Sequence, residues 1–332
     1  MLATDEARLG RRYAMVVFHD AEDMVDPAAL GLLDEGIAFG VDFVQLPVEP
    51  LVQHHGLREV RGWLRRHIGS HYCEEFAEAH GKAMVVRGRL RAGLPGAGVG
   101  CTVSRRALDR LAATRSDGLP FATGSLTEDY ELGLAVASHG GSCCFVRARG
   151  EDGRLIANRA FFPDRFDTVA RRKSRWVLGI ALQGWDRVGR SGGVIETWML
   201  ARDRRGPLTA LVLLAGYALV MLTGLMGLAI LAGVGELVPL TVLLNALLIA
   251  NLAAFVWRAV MRFAFAAREY GLAEGVAAVA RLPLANVIAI IAGRRAVFAY
   301  ARTLGGKAAA WDKTEHQVHP LSLALTSGAR GQ

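Results

Sequence analysis

Several features are scarce in this chain, and each absence excludes a class of protein. The first fifteen residues lack the apolar stretch of a signal peptide, so the sequence predicts no cleaved leader. The four cysteines show no metal-ligand spacing, and neighbouring Cys143 and Cys144 are poorly placed to pair with each other. Reduced thiols in a cytoplasmic compartment are the simplest interpretation. We find neither an internal repeat nor a low-complexity tract.

Negative charge is also in the minority. The formal net charge is +8 over 332 residues, and arginine clusters such as residues 61–67 and 171–175 dominate it. Nucleic acid, anionic lipid headgroups or a phosphorylated substrate would each suit such clusters. The sequence has no RNP, zinc-finger or helix-turn-helix pattern, so we expect no nucleic-acid partner.

Long uncharged runs are confined to the last third of the chain. Leu208 to Val234 carries no charge over 27 positions and Leu237 to Val256 carries none over 20. Each run reaches the roughly 20 residues that a bilayer-spanning helix needs, so the sequence predicts two membrane helices. Arginines precede the first run and follow the second, which places both ends in the cytoplasm by the positive-inside rule. Residues 282–293 form a shorter run, closed by Arg294 and Arg295, that predicts an interfacial or re-entrant helix.

The polar part before these runs has the pattern of an α/β domain. Apolar runs predict strands at 15–18, 41–50 and 83–88. Apolar spacing predicts helices at 27–39 and 57–79, the second of which breaks at Gly81. Residues 93–111 predict a glycine-rich loop that leads into a helix. Another short helix is predicted within 124–140, with Thr127 at its N-cap and carboxylates in its first turn.

The stretch "FHDAEDMVDP" places Asp20, Glu22, Asp23 and Asp26 directly after the first predicted strand. Like charges crowded at a strand end repel one another unless a cation lies among them. A hard divalent ion such as Mg²⁺ or Mn²⁺, bound jointly by carboxylates and phosphate oxygens, would suit this position. A solvated acidic turn, in which Asp26 caps the next helix, is the alternative that these residues leave open.

Three motifs in order resemble the membrane-bound family 2 glycosyltransferases, the cellulose synthase-like group. Residues 20–23, "DAED", stand where that family has D-x-D; 127–129, "TED", match its catalytic triplet; and 172–176, "RKSRW", stand where it has Q-x-x-R-W. The phage-adsorption type within the family resembles the chain most. That likeness rests on the six stretches "FHDAEDMVDP", "DFVQLPVEPL", "GVGCTVSRRAL", "LTEDYELGL", "SRWVLGIALQGW" and "WDKTEH".

The resemblance implies a partial GT-A domain over residues 1–206, a transmembrane hairpin over 207–260, and an interfacial helix with a cytoplasmic segment over 261–332. It implies an inverting transfer of sugar from a nucleotide-diphosphate donor, UDP-linked, to a glycan or lipid-linked acceptor in exopolysaccharide synthesis at the bacterial inner membrane. The divalent cation is Mg or Mn. The implied site residues are Asp20, Glu22 and Asp23 at the metal, Asp129 as base with Glu128 beside it, and Arg172, Arg175, Trp176 and Gln183 around donor and acceptor.

Three departures from the family pattern bear on this interpretation. Arg172 replaces the glutamine of Q-x-x-R-W, Glu22 replaces the second aspartate of D-x-D, and only about fifteen residues precede the first strand. The family has an earlier strand, helix and strand, so we expect this chain to be an N-terminally truncated form. Two other functions stay open: a membrane interaction component without activity, and a transferase to polyprenyl phosphate.

Overall fold

The structure is a computed structural model that describes residues 2–52, 60–189, 192–234, 236 and 239–306. The "WDKTEH" stretch therefore lies outside the described residues. The described strands are β1 Met15–Phe18, β2 Met24–Val25, β3 Phe43–Gln45, β4 Val48–Pro50, β5 Cys101–Ser104, β6 Cys143–Phe145 and β7 Asn158–Ala160.

The helices cover most of the rest. The described α-helices are α1 Leu2–Leu9, α2 Ala29–Ala38, α3 Val60–Glu78, α4 Met84–Arg89, α5 Arg105–Thr114, α6 Glu128–Ser138, α7 Phe166–Trp176, α8 Gly184–Val188, α9 Val194–Asp203, α10 Gly206–Leu231, α11 Val242–Tyr270, α12 Leu272–Ala280 and α13 Leu282–Leu304. Two π-helical segments join neighbouring helices: π1 Ala79–Ala83 between α3 and α4, and π2 Val177–Gln183 between α7 and α8.

Two small mixed sheets form the centre of the polar part. The first has the order β1-β5-β3-β6, in which β5 is antiparallel to both neighbours and β3 is parallel to β6. The second has the order β2-β7-β4. Side chains alternate across β3, so that Phe43 packs towards α5 and α6 while Val44 packs towards α2. Helices therefore cover both faces of the first sheet.

The predicted strand at 41–50 is two strands in different sheets. Pro47 has no N–H to donate, so the ladder stops there and the chain crosses from β3 to β4. The central strand β5 was not predicted, because its four residues resemble the end of the glycine-rich loop that precedes them. Its pairing with β1 and β3 is what makes it a strand.

The predicted strand at 83–88 is wrong, because these residues form helix α4. Met84 and Arg87 are buried three residues apart, which is helical spacing, and Arg87 Nη1 donates to Asp203 Oδ2 at 2.8 Å. Gly81 does not end the preceding helix either. It lies in π1, where an added Cβ would stand 2.7 Å from the ring of Phe265 on α11.

Three helices, α10, α11 and α13, are long and apolar enough to cross a membrane. The predicted membrane helices are confirmed as α10 and α11, although α11 begins at Val242 and continues to Tyr270. The predicted length of the third segment is wrong. Arg294 and Arg295 lie on the exposed side of α13 while Ala292 and Ala296 are buried, so the helix runs past both arginines. Arginine is a good helix former, and its charge does not stop a helix when it faces outward.

A buried ionic cluster joins the polar part to the helices that follow it. Arg281, between α12 and α13, donates to both carboxylate oxygens of Glu74 on α3 at 3.2 and 3.0 Å and to Glu274 on α12 at 2.8 Å. Arg66 on α3 donates to the other oxygen of Glu274 at 2.8 Å. Glu74 is 0% and Arg281 3% exposed, so water does not solvate their charges. The charges are instead stabilised by their pairing with each other.

We expect Glu74→Gln to lower the free energy of unfolding by about 3 kcal/mol, because it leaves Arg281 buried with one carboxylate fewer. Glu78→Gln, on the same helix, is the matched control. Its partner Lys82 and Glu78 itself are partly exposed, so the expected loss is below about 1 kcal/mol. Unfolding midpoints of the purified chain in mixed detergent micelles measure both losses. Equal midpoints for the two variants would contradict the role of the buried pair.

Candidate active site

The acidic stretch forms a tight turn between β1 and β2. Asp23 Oδ2 accepts a hydrogen bond from the Asp20 backbone N–H at 2.8 Å, and the Asp23 N–H donates back to the Asp20 carbonyl at 3.1 Å. The Asp23 side chain is 3% exposed, whereas Asp20 lies at the surface. Asp26 accepts from the Ala28 N–H and pairs with Arg159. The turn thus uses two of its four carboxylates for its own structure.

The described residues contain no group of three or more His, Cys, Asp or Glu side chains arranged to hold a metal. The resemblance predicts that Asp20 and Glu22, with Asp23 as a substitute, hold an ion together with a diphosphate, and that prediction stays open; the Asp23 side chain also caps the turn. A Mg²⁺ ion held mainly by a diphosphate needs only one or two carboxylates, and Asp20 and Glu22 lie together in this turn. The residues present fit such a shared ion and not a preformed three-carboxylate site.

Two polar residues beside this turn were not predicted. His19 Nδ1 lies 3.2 Å from Asn158 Oδ1 and 3.8 Å from Asp23 Oδ2. His19 Nε2 and Asn158 Nδ2 are buried and have no hydrogen-bond partner among the described residues. His19 directly precedes the acidic motif, which was a signal in the sequence. Asn158 gave none, because it reaches the turn only through the pairing of β7 with β2.

The glycine-rich loop, residues 93–100, lies between this turn and α6. Gly100 donates its N–H to the Phe18 carbonyl at 2.9 Å, and a Cβ at Gly100 would stand 2.9 Å from Asn158 Cβ. On its other side, a Cβ at Gly98 would stand 2.6 Å from Asp129 Oδ2. The loop therefore contacts the acidic turn at one end and the predicted base at the other.

The buried amide of Gln45 holds the loop in place. Its Nε2 donates to the carbonyls of Leu46, Val99 and Gly100 at 2.8, 2.9 and 3.2 Å. Its Oε1 accepts from the Ala97 N–H at 2.9 Å. Since Gln45 belongs to the central strand β3, the loop is fixed directly to the sheet.

Asp129 is the second residue of α6, and the electrostatics of its carboxyl group are unusual. The pKa of Asp129 is raised to about 6, mainly by burial and in smaller part by the nearby charge of Glu128. The Tyr130 backbone N–H, which donates to Asp129 Oδ1 at 2.8 Å, and the charge of Arg175 both lower it. A carboxyl group with a pKa close to neutral can accept a proton at physiological pH.

The π2 segment, which directly follows "RKSRW", contacts the residues just before α6. A Cβ at Gly179 in π2 would stand 2.6 Å from Thr127 Oγ1, and Leu178 packs with Leu126. The charge of Arg175 acts on Asp129 across this contact. The structure thus brings "TED" and "RKSRW" together, although they are far apart in the chain.

The other residues predicted around donor and acceptor lie in two places. Trp176 belongs to an aromatic cluster with Tyr72 at 6.2 Å and Phe76 at 6.4 Å between ring centroids, and the Arg172 guanidinium lies 5.3 Å from its ring. Gln183 ends π2, where its Oε1 is buried without a hydrogen-bond partner in the described part of the chain. The Trp176 cluster is partly covered by Ile288 and Leu284 of α13.

Known proteins resemble this chain over most of its length. A family model described as glycosyl transferase family group 2 matches residues 15–265. Two curated proteins, bacteriophage adsorption protein B of Escherichia coli strain K12 and bacteriophage N4 adsorption protein B of Escherichia coli O157:H7, are each 33% identical to this chain over 333 aligned positions. Each alignment covers 92% of this chain, which spans 42% of the relative's length.

We expect the free energy of unfolding to fall by about 1 to 3 kcal/mol more for Gly98→Ala than for Gly118→Ala. Both glycines have positive φ, +81° and +64°, so both variants strain the backbone alike. Only the Cβ at Gly98 meets a neighbour, the Asp129 carboxylate, whereas nothing lies within 4 Å at Gly118. Unfolding midpoints in detergent compare the two. Equal losses would show that the loop and Asp129 are not in contact.

The raised pKa of Asp129 predicts a stability effect that depends on pH. The folded state binds this proton more tightly than the unfolded state, whose pKa is near 3.8, so wild-type stability falls as pH rises from about 4 to about 6. Asp129→Asn has no charge to bury, and we expect it to unfold at higher temperature than wild type at pH 7.5 and at the same temperature at pH 3.5. Asp34→Asn on the exposed side of α2 is the matched control. A variant less stable than wild type at pH 7.5 would contradict the burial of this charge.

Proposed function

This chain belongs to the family 2 glycosyltransferases, as the resemblance predicted, and we propose that it transfers a sugar from a nucleotide-diphosphate donor, UDP-linked, to a glycan acceptor with inversion at the anomeric carbon. The observation that carries the proposal is the position of Asp129. Its carboxyl group, with a pKa raised to about 6, lies against Gly98 of the glycine-rich loop and within range of the charge of Arg175.

Asp129 would act as the general base. In a single displacement the acceptor hydroxyl attacks the anomeric carbon, the bond from that carbon to the diphosphate breaks, and the hydroxyl proton passes to the Asp129 carboxylate. No enzyme nucleophile is required. Glu128, next to Asp129, keeps the local charge negative and so favours a protonated Asp129 after the transfer.

Cationic groups would stabilise the leaving diphosphate. Arg175, whose charge acts on Asp129, would neutralise the negative charge that develops on the donor diphosphate. A divalent ion, held by Asp20 and its neighbours Glu22 and Asp23 together with the diphosphate, would supply further neutralisation when bound. His19, next to these carboxylates, would orient the donor through its buried Nε2.

Trp176, Arg172 and Gln183 would line the acceptor side. Trp176 offers an apolar ring face for a sugar. Arg172 stands where the family has a glutamine, and its charge suits an acidic or phosphorylated acceptor.

Positive charge on both sides of the hairpin supports a catalytic part in the cytoplasm and insertion in the bacterial inner membrane. The relatives are named for bacteriophage adsorption, and an exported polysaccharide is a surface to which a phage could adsorb.

The test is sugar transfer by the purified chain in detergent with radiolabelled UDP-sugars, with and without Mg²⁺. We expect Asp129→Asn to lower kcat by about 10²- to 10⁴-fold while UDP-sugar binding, measured by calorimetry, is retained. Asp34→Asn is the control, since it makes the same change on the exposed side of α2. A long product would favour polymer extension, and a single sugar on a lipid would favour the polyprenyl phosphate acceptor.

Two results would overturn the proposal. Turnover by Asp129→Asn at the wild-type rate would remove its role as base. Failure of the wild-type chain to bind any UDP-sugar would favour the membrane interaction component without activity.

A further inference from the structure

Polar side chains from three apolar helices meet at the membrane-facing part of the structure. Arg258 Nη2 on α11 donates to Asn286 Oδ1 on α13 at 3.4 Å, and Asn286 Nδ2 donates to the Tyr217 hydroxyl on α10 at 3.3 Å. We call Tyr217, Arg258 and Asn286 the Arg258 cluster. Ionisable side chains among membrane helices are costly and are retained mainly where they have a function.

The position of Arg258 in α11 places it near the end of the span that adjoins the polar domain. It is 16 residues past Val242, which is about 24 Å along a helix, in a hydrocarbon core of about 30 Å. Its long side chain can therefore reach the headgroup region. Arg205, which precedes α10, and Arg262, one turn further along α11, lie within electrostatic range of it.

Glu78 also lies within electrostatic range of Arg258, but it already pairs with Lys82, so the positive charges here exceed the carboxylates left to balance them. Arg262 is 8% exposed, and its Nε and Nη1 have no hydrogen-bond partner in the described residues. The Glu74 carboxylate lies 3.8 Å from Nη1. Glu74 already accepts two hydrogen bonds from Arg281. Buried donors without an acceptor are costly, so an additional anion would stabilise this site.

We propose that Arg258, Arg262 and Arg205 bind the phosphate group of a membrane lipid. Tyr217 and Asn286, the other members of the Arg258 cluster, would border the inner edge of this site. Guanidinium groups match phosphate oxygens in geometry, and basic pockets between membrane helices are typical sites for anionic headgroups. The exposed apolar surfaces of α10 and α11 would contact the acyl chains. This inference does not depend on the proposed transferase function.

A lipid phosphate could come from an anionic phospholipid or from a polyprenyl phosphate. The chemistry that binds either is the same, so only the binding experiment can distinguish them. Which of the two lipids binds is informative because of the position of α13. Its residues Leu284 and Ile288 pack on the Trp176 cluster, whereas Asn286 faces the lipid-phosphate site. A polyprenyl phosphate would place an acceptor one helix away from Trp176.

The test is binding of fluorescent lipids to the full chain in neutral detergent. Phosphatidylglycerol, a polyprenyl phosphate and a diacylglycerol without phosphate are titrated in parallel. We expect both phosphate lipids to bind better than diacylglycerol, and Arg258→Gln to weaken their binding roughly fivefold, the effect of one arginine near a headgroup. Asn286→Asp, which puts a negative charge beside the phosphate, should weaken binding at least as much.

Arg268→Gln is the matched control, because it removes the same charge from the exposed side of the same helix. Its lipid affinity should equal that of wild type, and circular dichroism checks that each variant is folded. Equal binding of diacylglycerol and the phosphate lipids, or equal affinities for Arg258→Gln and Arg268→Gln, would overturn the proposal. Preference for polyprenyl phosphate over phosphatidylglycerol would indicate a lipid-linked acceptor, and the reverse preference a resident phospholipid.

Discussion

The side-chain amide of Gln45 fixes the glycine-rich loop, and the candidate site depends on the position of that loop. The loop has few side chains with which to hold itself, so its carbonyl groups need donors from elsewhere. Gln45 supplies them to Val99 and Gly100 and accepts from Ala97, all from a fully buried position in the central strand. A buried polar group whose bonds are satisfied specifies one backbone arrangement, because every alternative leaves it unpaired.

The close approach of the loop also accounts for the properties of Asp129. Glycine at position 98 lets the backbone lie against the carboxylate, and this excludes water that would otherwise solvate the charge. The same exclusion raises the pKa of Asp129 to about 6. The buried Asp129 carboxylate thus lowers the stability of the fold, while its raised pKa lets it accept a proton near neutral pH. Such a trade-off between stability and activity is common in enzymes.

Sequence reasoning reached the parts of this molecule that depend on local pattern. The uncharged runs predicted α10 and α11, because a helix needs about 20 mainly apolar residues in sequence to cross the hydrocarbon core of a bilayer. It did not find β5, whose strand character comes from pairing with β1 and β3. For the same reason the meeting of His19 with Asn158, 139 residues away, could not be predicted. The motifs identified Asp129, but only the folded chain places Gly98 against it.

Helix α13 packs against both the Trp176 cluster of the polar part and the apolar helix α10. Gly293 lacks a side chain where the helix meets Ala210, so α13 and α10 pack in close contact at this point. On the other side of the helix, Ile288 is buried against the Trp176 cluster, which includes Tyr72. A displacement of α13 would therefore change the packing around Trp176 and the position of Asn286 together. Because both are tied to one rigid helix, occupancy of the proposed lipid-phosphate site and the shape of the proposed acceptor side are expected to be coupled through it.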